Sequence, residues 1–162
     1  MDIWTERLQR EHLALLKDWL GRDTGVLTTN DLPSKTEDID HWYERCAADP
    51  NRTDCLVSIY ETPVGLAGLQ RQAGRKDTVS LYLLLGEVNY NPLRTATHVT
   101  LRMLDRAFSE CGVSHATICV LSSQAWFLEP LERMGFMRTC VQDDHVVLSV
   151  EKESFQSRKY LF

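Results

Sequence analysis

Hydrophobic positions recur along the chain with two different periods. In residues 6–20, ERLQREHLALLKDWL, Leu8, Leu13, Leu16, Trp19 and Leu20 fall near one face of a helix, and Gly21 is a suitable stop. The stretch RDTGVLTTNDLPS that follows is polar and rich in turn formers. Residues 36–46, TEDIDHWYERC, open on the cap candidate Thr36 with acids in the first turn, which predicts a second helix. DPNRTD then breaks it, and the period changes. CLVSIYE (55–61) predicts a strand, Thr62-Pro63 a turn, VGLAGLQRQA (64–73) a second strand and GRKD a second turn. TVSLYLLLG (78–86) is apolar enough for a central strand. Residues 97–111 carry Leu101, Leu104, Ala107, Phe108 and Cys111 at helical spacing, closed by Gly112. SHATICVL (114–121) predicts a fourth strand. SSQAWFLEPLERMG (122–135) predicts a helix in which Pro130 imposes a kink or a short first half. FMRTCVQ and HVVLSVEKE predict a closing hairpin that turns at Asp143-Asp144. The order is two helices, three strands, helix, strand, helix, two strands. It describes an α/β (α+β) fold, a mixed sheet with helices on its faces, in one domain over residues 1–162.

Composition narrows the class. A chain of 162 residues, 43% hydrophobic and 25% charged, suits one globular domain with a real core. A net charge of -5 lacks the basic excess that a broad nucleic-acid surface needs. No apolar segment has the length of a membrane span, and MDIWTERLQREHLALL lacks the apolar run of a secretory signal, so a cytoplasmic protein is expected. Cys46, Cys55, Cys111, Cys119 and Cys140 are odd in number and form no C-x-x-C pair, so neither a disulfide framework nor a metal site is expected.

One connection stands out. NYNPLRTATH (89–98) follows the apolar run VSLYLLLGE and leads into a helical pattern. A strand, a short loop and a helix start often hold a phosphate, because helix N-termini present free N–H groups. Such loops usually contain glycine, and this one has none.

The order of elements, with the words inside it, resembles the GNAT superfamily of acyl-CoA-dependent N-acyltransferases. PVGLAGLQ resembles the hairpin between that family's second and third strands, and LYLLLGE its fourth strand. LRMLDRAFSECGVSHATICVL and FLEPLERMGF resemble its helix-to-strand passage and the segment that precedes its late Gly-Phe. HWYERCAADPNRTDCLVSI resembles the branch that acetylates ribosomal-protein N-termini and amino sugars.

The resemblance implies a mostly antiparallel central sheet and acetyl transfer from acetyl-CoA, or another acyl-CoA, to a primary amine of a small molecule, amino sugar or peptide. It implies no metal. The family's pyrophosphate loop, Q/R-x-x-G-x-G/A, falls on Asn91, Pro92, Leu93, Arg94, Thr95 and Ala96, with Thr97 next. Only Ala96 agrees, and Arg94 either pairs with a phosphate itself or points to solvent. The resemblance assigns the thioester arm to backbone groups of Leu83, Leu84 and Leu85, and a polar contact to Gln124. The family's tyrosine acid aligns with Leu131, which has no proton to give, so Ser122, Ser123 or an ordered water is the candidate donor. Glu87 and His98 are the base candidates, each with an alternative as a surface charge or first-turn residue. Trp42, Tyr43 and Tyr82 are expected near the acceptor, with a buried core tryptophan as the alternative for Trp42, as are Asp23, Asn30 and Asp31 on the first polar loop. Two alternatives stand beside the enzyme: a binding or regulatory protein on the same fold, and an acyltransferase served by an acyl-carrier protein. A monomer and a homodimer both fit.

Overall fold

A computed structural model describes residues 2–22, 25, 27–28, 31–34, 37–87 and 89–162. Asp23, Asn30 and Thr36, singled out above, lie outside the described residues. Seven strands form one sheet: β1 (Ile3–Arg7), β2 (Arg52–Ile59), β3 (Thr62–Gln72), β4 (Arg75–Leu85), β5 (His115–Leu121), β6 (Met137–Val141) and β7 (His145–Glu151). Their order across the sheet is β1-β2-β3-β4-β5-β7-β6. Every neighbouring pair is antiparallel except β4 and β5, which run parallel. Helices α1 (Leu13–Gly21) and α2 (Ile39–Ala48) cover one face, while α3 (Pro92–Glu110), α4 (Leu128–Arg133) and α5 (Lys152–Arg158) accompany the other core.

Alternation along β4 feeds both cores, because successive side chains leave a strand on opposite faces. Val79, Leu81, Leu83 and Leu85 join Met103, Leu104 and Phe108 of α3. Tyr82 and Leu84 join Leu13, Leu16, Trp19, Trp42 and Cys46.

The expected mixed sheet is present, with local corrections: Thr62 and Pro63 lie in β3 rather than in a turn, β4 begins at Arg75 within the expected GRKD turn, and α2 begins at Ile39 rather than residue 36. Glu6 and Arg7 are not helical; they pair with Leu56 and Cys55 in β1, and the helix begins at Leu13 after a short 3-10 turn. β2 begins at Arg52 rather than residue 55, because Arg52 and Asp54 are buried as a pair and do not break the strand. The third helix begins at Pro92, five residues before the expected start. Asn91 caps it by accepting the Arg94 N–H at 3.1 Å, and proline is well tolerated in the first turn, where its missing N–H is not needed. Residues 122–135 divide into a 3-10 turn over Ser122–Phe127 and α4, broken by the non-helical Gln124 rather than at Pro130. Helix α5 was not expected. Its Phe155 is buried, with its ring 5.6 Å from Phe108.

Candidate active site at the β4/β5 split

The parallel pairing of β4 and β5 runs only from Thr78↔His115 to Leu81↔Ile118. Beyond it the strands part, and Leu83 and Leu85 turn their main-chain groups into the gap. A lone crossing of the sheet pattern at a parallel junction is a common place for a ligand in sheets of this kind.

Gly25, Leu27 and Thr28, from the loop between α1 and α2, lie in that gap. The Leu27 N–H donates to the Leu83 carbonyl at 3.2 Å, and the Leu85 N–H donates to the Gly25 carbonyl at 2.8 Å. Across the gap, the Leu121 N–H donates to the Leu27 carbonyl at 3.0 Å, and Thr28 forms an antiparallel bridge with Val120. The Thr28 hydroxyl accepts the Leu83 N–H at 3.3 Å. Leu27 is 1% exposed, so the crosspiece is part of the core. Gly25 has φ +81, and a Cβ there would overlap the Leu85 carbonyl oxygen, so only glycine fits this approach without strain.

Outside the crosspiece lies a cavity of about 400 Å³ lined by Gly25, Leu27, Leu85, Asn91, Pro92, Leu93, Gln124 and Trp126. Its lips are the N-terminus of α3 and the 3-10 turn after β5. The exposed Trp126 donates its indole N–H to Gln124 Oε1 at 2.8 Å.

Of the residues expected from sequence, Leu83, Leu85, Asn91 and Gln124 converge on the split and its mouth. Leu84 turns toward β3, opposite Leu66. Arg94 is exposed on the first turn of α3, one residue from the lining residue Leu93. Ala96 is buried, and the Thr97 hydroxyl folds back onto the Leu93 carbonyl at 2.7 Å. Thr95 is 2% exposed, and its hydroxyl has no hydrogen-bond partner among the described residues. Ser122 follows β5, its N–H donating to the Asp144 carbonyl at 2.9 Å.

Glu87 and His98 sit elsewhere. Glu87 accepts the Trp19 indole N–H at 3.2 Å and lies 3.7 Å from Arg22, on the α1 side of the sheet. Trp19 reaches it by lying over Gly86, where a Cβ would overlap the indole. His98 shares its side of α3 with Arg102, whose guanidinium donates to the Ile3 carbonyl of β1 at 2.9 Å. Burial lowers the His98 pKa, with a smaller contribution from the charge of Arg94, and favours the neutral ring. The three catalytic candidates are therefore not brought together.

Asp31, Trp42 and Tyr82 meet on the α1/α2 face around a buried ion pair. Arg52 binds Asp54 through Nη2 at 2.8 Å and Nε at 3.0 Å. The Tyr82 hydroxyl donates to the same carboxylate. The guanidinium lies 5.6 Å from the Trp42 ring centroid and 5.7 Å from that of Tyr82. It also donates to the Asp31 carbonyl at 3.0 Å, while the Asp31 carboxylate accepts from Ser80 at 2.8 Å. Trp42 and Tyr82 are 1% and 0% exposed, so both are core here. Burial, then Asp54, pushes the Tyr82 pKa well up. Tyr43 packs at the edge of this core under Arg10. Leu131 is fully buried. Burial pushes the Cys46 thiol up to about 11, which keeps it protonated and unreactive. Among the described residues no cluster of three metal-binding side chains occurs, and no helix is long and apolar enough to cross a membrane.

Sequence reasoning missed Gly25, Leu27, Thr28 and Trp126. The one available sign was the apolar Val-Leu step inside an otherwise polar loop.

No family model matches the sequence, and no curated protein matches it. Solved structures do match in fold. Spermidine N-acetyltransferase from Vibrio cholerae, in complex with CoA and spermine, superposes with a TM-score of 0.77 at 13% identity, over 95% of this chain and 98% of that one. Mutant forms of the spermidine/spermine N-acetyltransferase SpeG from the same organism superpose at 0.76 and 13% identity, over 97% and 98%. The N-acetyltransferase PseH from Campylobacter jejuni superposes at 0.70 and 14% identity, over 93% and 98%.

Proposed function

We propose that a chain with the GNAT fold and this split sheet is an N-acyltransferase, moving an acetyl group from acetyl-CoA to the primary amine of a small molecule, amino sugar or peptide. The observation that carries the reading is the pair of main-chain residues, Leu83 and Leu85, facing a gap between diverging parallel strands with a helix N-terminus at its mouth. A structure of the same fold contains CoA and an amine together.

The donor fits the mouth better than the gap. At the mouth, Pro92 has no N–H, Asn91 Oδ1 takes the Arg94 N–H, and the Asn91 carbonyl takes that of Thr95 at 2.9 Å. The Leu93 N–H and the exposed Arg94 guanidinium remain to meet a pyrophosphate, so side-chain charge replaces most of the usual backbone cradle. In the gap, Leu83 and Leu85 are the residues to hold the arm once the crosspiece withdraws. A bound acyl-CoA supplies an acyl group activated as a thioester; the amine nitrogen forms the new C–N bond as the C–S bond breaks. The Leu83 N–H is the preorganised donor for the carbonyl oxygen, a role backbone amides fill well because they need no reorientation. Ser122 is the hydroxyl we assign to the leaving sulfur: it gives its proton to the thiolate and is reprotonated by the proton that the amine sheds. The protein acts in the cytoplasm as a monomer or homodimer.

The test is thiol release from acetyl-CoA with a polyamine, an amino sugar and a peptide as acceptors. Amine-dependent release is expected. If no amine releases thiol, and desulfo-CoA leaves the melting temperature unchanged, the reading is wrong.

The reduced cradle supports a second reading, in which an acyl-carrier protein is the donor. Its pantetheine arrives on one phosphate without adenosine diphosphate, so the mouth has less to hold. Acyl transfer from the carrier alone would favour it. A protein silent with both donors would be a binding or regulatory member of the fold.

A further inference from the structure

The loop between α1 and α2 offers the split an unusual set of groups. Leu27 presents its N–H to one lip and its carbonyl to the other, and Gly25 presents a second carbonyl. These are amide groups in a line, and they satisfy Leu83, Leu85 and Leu121. A pantetheine arm also carries two amides in a line. Both occupants therefore bring the same donors and acceptors to the same lips. Gly25 and Leu27 also form the inner wall of the 400 Å³ cavity, so they divide the mouth from the gap behind it.

We infer that Gly25, Leu27 and Thr28 are a built-in plug that keeps the acyl-transfer site closed, and that a pantetheine-bearing donor opens it by taking over the same main-chain hydrogen bonds. This rests on the acyltransferase reading. The fit is specific to the closed state: Gly25 holds a left-handed backbone against Leu85 that other residues resist. The loop is fastened outside the gap as well. At one end Trp19 holds Glu87, and at the other Asp31 binds Ser80 and Arg52. The plug can leave the gap while these anchors persist. The donor then competes with the chain's own residues, and its apparent affinity falls by the fraction of molecules that are open.

Calorimetry with desulfo-CoA on the natural chain and on Gly25→Ala tests this, with amide hydrogen exchange followed at Leu27, Leu83 and Leu85. The alanine Cβ expels the plug, so affinity should rise on the order of tenfold. In the natural chain, saturating desulfo-CoA should expose the Leu27 amide to exchange while Leu83 and Leu85 stay protected. Thr28→Val removes only the hydroxyl that accepts the Leu83 N–H, and should give a smaller gain in a protein of nearly the same shape. It carries the test if Gly25→Ala does not fold. Binding that leaves Leu27 protected, or an affinity that neither substitution raises, overturns the plug and leaves the acyltransferase standing. Binding to none of the three proteins removes the acyl-CoA reading itself, and the plug with it.

Discussion

Two places on β4 bury polar groups, and they satisfy them by opposite means. At its middle, Tyr82 shares Asp54 with Arg52, under Trp42. There the partners are side chains fixed in the core, and two of them, Arg52 and Asp54, carry full charges. At its end, Leu83 and Leu85 bond to a loop through neutral main-chain groups. The first arrangement cannot be exchanged, because any replacement would have to supply a buried charge. The second can, because any molecule with amides in a line supplies the same bonds.

The sharpest way to break the contrast is Asp54→Ala. Arg52 and Asp54 side chains are only 5% and 9% exposed, and removing one partner strands the other charge. Burial opposes the charge of Arg52, and Asp54 outweighs it to leave its pKa raised. A loss of about 3–5 kcal/mol in denaturant unfolding is expected. A loss under about 1 kcal/mol would mean the cluster is as exchangeable as the split.

Gly86→Ala tests the junction between the two. Its Cβ overlaps the Trp19 indole, a rigid neighbour, so about 1–3 kcal/mol should be lost, along with the Trp19–Glu87 bond. Unchanged tryptophan fluorescence and stability would show that the indole moves freely.

Asn91→Ala should cost about 1 kcal/mol as a lost cap, read by thermal unfolding. It also frees the Arg94 N–H at the mouth. If the mouth holds phosphate, desulfo-CoA should bind this variant as well or better despite the lower stability. Weaker binding would show that the Asn91 side chain contacts the ligand.

The smallest effect concerns His98, which belongs to neither region. Its folded pKa is depressed, so the unfolded chain takes up the proton more readily. Its contribution is present above the unfolded value of about 6.5 and is lost as pH falls through that value toward the folded one. Unfolding midpoints from pH 7.5 to 5 should decline less for His98→Asn. Equal declines would assign the acid sensitivity to other groups.

The long periodic segments were legible from sequence: the central strand β4, the helix carrying Leu104 and Phe108, and the closing hairpin all occur, although β4 begins at Arg75 rather than residue 78 and the helix at Pro92 rather than residue 97. What was hidden had a physical reason in each case. β1 is a short edge strand whose Trp4 is 62% exposed, and its partners lie some fifty residues away. Arg52 and Asp54 read as a polar break because hydropathy counts each charge alone and not as a pair. Asn91 and Pro92 spell a helix start that the resemblance to a phosphate loop obscured. Of the split, the lips were legible through Leu83, Leu85 and Gln124. The crosspiece was not, since a glycine and four hydrogen bonds to distant strands leave no period in the chain.

The sheet consists of two antiparallel blocks, β1 to β4 and β5 to β7 with β6, joined by a parallel seam of four residue pairs. Leu27 is a rivet across the gap beyond that seam, bonded to Leu83 on one block and Leu121 on the other. Whatever occupies the split thus also sets how tightly the blocks are coupled. A ligand that bonds only one lip would loosen the protein even as it binds, and one that reaches both would make the two blocks melt together.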